Sequence, residues 1–94
     1  MQHKTVSVAT SATKVFDGAL EAKHGAHVII HVLGGNTVHL GGPAVTNASG
    51  ANATGLPVAS GANRELHNYG SDIYAAAETA ATNVLVIVSP KQLP

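Results

Sequence analysis

Apolar and polar residues alternate along most of this chain. In "TVSVAT", Val6 and Val8 fall on one side of an extended backbone and Thr5 and Ser7 on the other. That period of two marks a half-buried strand. "KVFDG", from Lys14 to Gly18, reads as a short strand closed by an Asp-Gly turn. "HVIIHVL" (His27–Leu33) and "TVHL" (Thr37–Leu40) are rich in β-branched and aliphatic side chains. "RELHN" (Arg64–Asn68) is a weaker strand signal. "DIYAAAE" (Asp72–Glu78) is divided: its alanines favour helix, its brevity and flanking glycine favour strand. "NVLVIVS" (Asn83–Ser89) is apolar on both faces and reads as a central strand, stopped by Pro90, which cannot donate to a ladder. Short strands with turn signals between them predict an all-β fold, a small antiparallel sandwich or barrel of about six to eight strands.

Val28, Ile30 and Val32 share a parity with Val38 and Leu40, which predicts that both sets face the core. A three-residue loop of Gly34, Gly35 and Asn36 with positive φ would make a hairpin in which Val32 opposes Val38. A two-residue loop would turn one strand's aliphatics outward. In that register His31 opposes His39 on the outer face.

With 94 residues the chain makes one domain, expected to carry a short N-terminal arm and a long Ala/Gly/Asn/Ser/Thr loop at 41–63. It has no cysteine, so a partner subunit or a docking surface is the expected reinforcement. Net formal charge is zero and charged residues make up 11%. The scattered Lys4, Lys14, Lys23, Arg64 and Lys91 form no basic patch for nucleic acid. Phe16, Tyr69 and Tyr74 are too few for a base-stacking platform. The longest apolar run, "VLVIV", is far short of a membrane span, and the first residues lack a signal-peptide core. These features predict a protein made in the cytoplasm, with no membrane or nucleic-acid partner.

Six histidines raise the question of a metal. His31 and His39, if directly opposed, would have Cβ atoms about 5 Å apart. His27 would lie about 13 Å along the strand from His31, too far to join them. Two imidazoles fall short of the three or four ligands zinc uses, so a metal there would need donors from another subunit. No nucleophile elbow or phosphate-cradling pattern is present, and Asp17 and Asp72 sit beside turn positions where aspartate is at home. The expectation is a non-enzymatic protein with no catalytic residue, cofactor or metal of its own.

From Val38 to Val88 the order of segments is distinctive. A strand ends in Gly41-Gly42, followed by Val45-Thr46, then Gly55-x-Pro57-Val58 and Gly61, then Ile73-Tyr74-Ala75, and last the alternating Val84, Val86 and Val88. This resembles small β-domain virion proteins of tailed bacteriophages, of the capsid-decoration and head-fibre type. The sequence departs from that pattern at Asn47–Ala53, which lengthens the link to Gly55, and at Thr79–Thr82, where a glycine turn is missing. The resemblance implies a capsid decoration protein that binds the major capsid protein on the outer surface of the head. It also implies a homo-oligomer, with a trimer favoured. A tail or head-fibre component and a host-directed adhesin are the alternatives. Gln2, His3, Lys4, Gly42, Pro43, Asn47, Ser49 and Asn52 are the candidate contacts, because they lie in segments nearly free of bulky groups. Small side chains lose little rotamer entropy when immobilised and let one backbone approach another.

Overall fold

A computed structural model describes residues 2–17, 26–47, 54–68 and 72–90; of Gln2, Ala26, His67, Asn68 and Pro90 it describes the backbone alone. The described residues form eight strands: β1 Gln2–Val8, β2 Thr13–Phe16, β3 Ala26–Val32, β4 Val38–Gly41, β5 Leu56–Val58, β6 Asn63–Asn68, β7 Ile73–Ala77 and β8 Thr82–Pro90. They make two four-stranded sheets, ordered β1-β8-β3-β6 and β2-β7-β4-β5, here called sheets A and B. All pairings are antiparallel. Among sequence neighbours only β4 and β5 pair as a hairpin; the other steps along the chain lead to a different sheet. Eight strands in this order constitute a jelly roll. The all-β sandwich expected from the alternating pattern is therefore the fold observed.

The inner faces supply the core. Sheet A contributes Val8, Val28, Ile30, Val32, Val84, Val86 and Val88; sheet B contributes Phe16, Val38, Leu40, Val58, Ile73, Ala75 and Ala77. Most are branched at Cβ, which suits them to a pleated surface. On β2 both Val15 and Phe16 are buried, although consecutive residues of a regular strand face opposite ways. A shift in the β2–β7 register between Lys14 and Phe16 explains this, since a bulge turns the extra residue inward. Ala75 and Ala77 are fully buried, so the alanine run that favoured helix in isolation serves as strand β7 beneath larger neighbours.

The expected β3–β4 hairpin does not form. β3 lies between β8 and β6 in sheet A, and β4 lies between β7 and β5 in sheet B. Val32 pairs with Val84 and Val38 with Ala77. The parity argument identified the inward residues correctly. It could not separate two strands side by side in one sheet from two strands facing across a sandwich. The connecting glycines are not in the left-handed region either; among the described residues only Gly61 has positive φ, at 78°. Gly34 is required for space: a Cβ there would stand 2.6 Å from Thr82 Cγ2.

The turn from β3 to β4 is fastened to the turn before β8. Asn36 Nδ2 donates to Thr82 Oγ1 at 3.1 Å, and Thr79 Oγ1 donates to Asn36 Oδ1. The Thr82 hydroxyl in turn donates to the Ala80 carbonyl at 2.9 Å. These polar groups stand in for the glycine turn that the sequence lacks before β8. Two further expectations change. Gln2, His3 and Lys4 are no free arm but the first half of β1, opposite Val88, Ile87 and Val86. The segment 41–63 is no continuous loop, because it contains β5 and ends in β6. Tyr74 is half-buried on the outward side of sheet B, with the Lys14 ammonium 5.8 Å from its ring centroid.

Val86 is fully buried at the centre of sheet A. Val86→Asp would place an unpaired charge there and is expected to abolish soluble folding. Val86→Ala should fold with a stability loss of about 2 kcal/mol. Chemical denaturation of the two variants checks both outcomes.

Candidate functional site

The two outward faces differ. On sheet B, the outward positions of β4 and β7 are covered by the protein's own chain. His39 is 1% exposed and Ala76 0%, although both point away from the core between the sheets. Val45, itself 5% exposed, lies close against β4: a Cβ on Gly41 would stand 3.2 Å from its side chain. A Cβ on Gly55 would come within 2.6 Å of Val45 Cγ2 and 2.7 Å of the Leu40 carbonyl, so the backbone at 55 rests directly on β4. Thr46 and Thr54 close the two ends of the intervening segment: the Thr46 amide donates to Thr54 Oγ1 at 2.7 Å, and the hydroxyls are 2.9 Å apart. Asn47 Nδ2 donates to the Glu78 carbonyl at 3.1 Å. His39 Nε2 lies 3.2 Å from Glu78 Oε2. With the proton on Nε2, this nitrogen donates to the carboxylate. Nδ1, which has no hydrogen-bond partner among the described residues, is then a bare acceptor. An orphan acceptor is tolerated more readily than an orphan donor.

His31 and His39 are thus not neighbours. His31 is half-exposed on sheet A, opposite Leu85, and His39 is buried on sheet B. A metal shared between them within one chain is ruled out. Among the residues with described side chains, no group of three or more His, Cys, Asp or Glu gathers as a metal site.

Sheet A has no such cover from the described residues. Ile29, Leu85 and Ile87 are half-buried in the middle of its outward face, Ile29 pairing directly with Ile87, and Leu33 beside them is 51% exposed. His3, Thr5, His27, Asn83 and Glu65 are exposed around this strip. The strip is legible in "VLVIV", whose double-sided apolar pattern marks a central strand; the outward Ile29 of "HVIIHVL" carries no such signal by itself.

The edges of both sheets are blunted. Lys4 on β1 and Arg64 on β6 share the parity of the core residues yet are exposed at the sheet's margins. Charges at inward positions of edge strands obstruct pairing with another sheet. In sheet B, β5 is three residues long and carries Pro57, and β2 carries the bulge. Lys14 on β2 also meets Asp72 at 3.2 Å and Asp17 at 3.7 Å. The hydrogen bond to Asp72, followed by its charge, holds the ammonium's pKa above the ordinary lysine value. A shallow apolar hollow of about 240 Å³ lies where the edges β5 and β6 approach, lined by Leu40, Gly41, Leu56, Leu66 and Ile73.

The expected contact residues divide between the sheets. Gln2, His3 and Lys4 lie on sheet A, His3 in the same row as Ile87. Gly42 and Pro43 are exposed at the end of β4 in sheet B, and Asn47 is half-buried by its bond to Glu78. Ser49 and Asn52 lie outside the described residues.

A solved structure has a similar fold. It is a protein of Bacillus endospore appendages, described as a novel family of disulfide-linked pili. The likeness covers 93% of this chain and 81% of that one, with a TM-score of 0.54 and 14% identity. It supports the two-sheet architecture. No protein-family model and no curated protein sequence matches the chain.

Gly55→Ala is expected to lower stability by about 1–3 kcal/mol, since the new methyl would overlap a backbone carbonyl. Asn47→Ala should cost about 1 kcal/mol by removing the bond to Glu78. Thermal melts of the two variants check this; unchanged melting would mean that the 42–47 segment does not lie on sheet B.

Proposed function

We propose that this chain is a non-enzymatic structural subunit, and that it joins a larger protein assembly through the outward face of sheet A. The observation that carries the reading is the apolar strip Ile29, Leu85, Ile87 and Leu33 beside a sheet B that is covered by its own chain. A weakly charged rim of His, Thr and Asn around an apolar centre is the composition of an interface. The blunted edges favour docking by a face over strand addition.

Of the assemblies open to such a subunit, we favour decoration of a virus capsid. Its partner would be the major capsid protein, its place the outer surface of the head, and its form a homo-oligomer, with a trimer favoured. The support is the ordered residue pattern from Val38 to Val88 shared with phage virion domains. Each copy would stabilise the assembled lattice by binding only that state, and weak contacts would add over many copies. The fold likeness to an appendage protein favours a second reading, a subunit of a filament. These 94 residues include no cysteine, so such a filament would be held here without disulfides between these segments.

Sedimentation of purified protein, alone and with undecorated phage heads, tests both. Stoichiometric binding to heads, lost in Ile87→Lys and kept in Pro43→Ala, is the expected result. Long polymers formed without heads would move the assignment to the filament. A monomer that binds no heads would refute the assembly role.

A further inference from the structure

We propose, on the reading of sheet A as the assembly surface, that a second copy of this chain is the first occupant of that face: the free protein forms a weak two-fold dimer, sheet A against sheet A. Strand register is the reason. His3 on β1 pairs with Ile87 on β8, Ile87 with Ile29 on β3, and Ile29 with Glu65 on β6. Directly paired residues of a sheet point to the same side. These four side chains therefore form one row across all four strands, spanning about 14 Å at the spacing of neighbouring strands. An imidazole stands at one end and a carboxylate at the other, both exposed, with two half-buried isoleucines between them.

Such a row is self-complementary. A two-fold axis running along the strands, through the middle of the row, lays β1 of the second copy over β6 of the first, and β8 over β3. His3 of each copy then faces Glu65 of the other, and Ile87 faces Ile29. The next row obeys the same match. It runs Thr5, Leu85, His31 and Asn63, so the axis sets hydroxyl against amide and the leucine against the imidazole ring. An axis across the strands would instead lay β6 on β6 and bring the two Glu65 margins together. Twisted sheets pack face to face with their strands within about 30° of each other, which an axis inclined by half that angle provides. Glu65 Oε1 also lies 3.3 Å from His27 Nδ1 of its own chain. A carboxylate accepts at both oxygens, so it serves the two imidazoles together.

The contact is small. β1 and β3 are seven residues long, so the four strands offer a face of about 23 by 19 Å, roughly 400 Å² per copy. Two such faces fall short of the roughly 1,200 Å² at which stable specific interfaces begin, and lie in the range of weak, reversible contacts. Dilution therefore frees the face, and a larger partner surface displaces the second copy.

Sedimentation equilibrium of the untagged chain without heads, from micromolar to millimolar concentration, tests this. The expected result is a monomer–dimer equilibrium with a dissociation constant in the upper micromolar range, abolished in Ile87→Lys. His3→Glu sets carboxylate against carboxylate, and Glu65→Lys sets an ammonium against the imidazole. Each alone should weaken the dimer at least about fivefold. An equimolar mixture of these two variants should recover it. There the new carboxylate of one faces the new ammonium of the other, and the native Glu65 of the first faces the native His3 of the second. Circular dichroism checks that each variant folds, and a fold damaged by substitution is not rescued by mixing. A chain that stays monomeric at millimolar concentration would overturn the proposal; if it still binds heads and Ile87→Lys does not, the assembly role of sheet A stands without the dimer. Equal dimerisation in both charge variants, or weakening that the mixture does not recover, would also overturn it.

Discussion

The structure depends on one packing constraint: each strand must bury its aliphatic face, and the chain does so across a sandwich more often than alongside a neighbour. β8 and β3 present an almost unbroken inner row of valine and isoleucine, and β4 and β7 close over it from the other sheet. Successive strands therefore alternate between sheets at most steps. The turns between them must bridge two layers, which explains the crowding of Gly34 against Thr82 and the bonds from Asn36 to Thr79 and Thr82. A jelly roll of this size has little apolar material to spare. Its inner faces take most of what is described; outside them, Ile29, Leu85 and Ile87 lie half-buried on sheet A with Leu33 exposed beside them, and Leu56 is exposed on the short edge strand of sheet B.

The two outward faces follow from this economy. The strands of sheet B are short and β7 is rich in small residues, and Gly55 with Val45 lies directly on β4 beside His39. Glycine and alanine are needed there because backbone lies on backbone. Sheet A has longer strands and a branched aliphatic pair, Ile29 and Ile87, facing outward without cover from the described residues. An exposed sheet with such a centre is stable when another protein covers it. Lys4 and Arg64 put charges on the two edge strands of that sheet, which obstruct strand addition there.

Most strands were legible in the sequence because their signal is local. Val6 and Val8, Val28 to Val32, and Val84 to Val88 announce their inward positions by parity alone. Pairing was not legible, since parity is the same for partners in a sheet and for facing strands in a sandwich. That ambiguity produced the wrong hairpin and the apparent meeting of His31 with His39. It also concealed the approach of His27 to Glu65, which depends on β3 pairing with β6, more than thirty residues onward in the chain. The small-residue segment was read as a surface for another protein; in its described part the surface it meets is the chain's own β4.

The absence of cysteine in the sequence makes chemical labelling a direct test of which face is used. Single-cysteine variants Ile87→Cys and Ala44→Cys would be labelled with a thiol reagent, free and in the assembled state. Both should react in the free protein. In the assembly, the thiol at position 87 is expected to become protected at least tenfold while that at position 44 continues to react. Protection at 44 with free reaction at 87 would contradict the assignment of sheet A as the assembly surface.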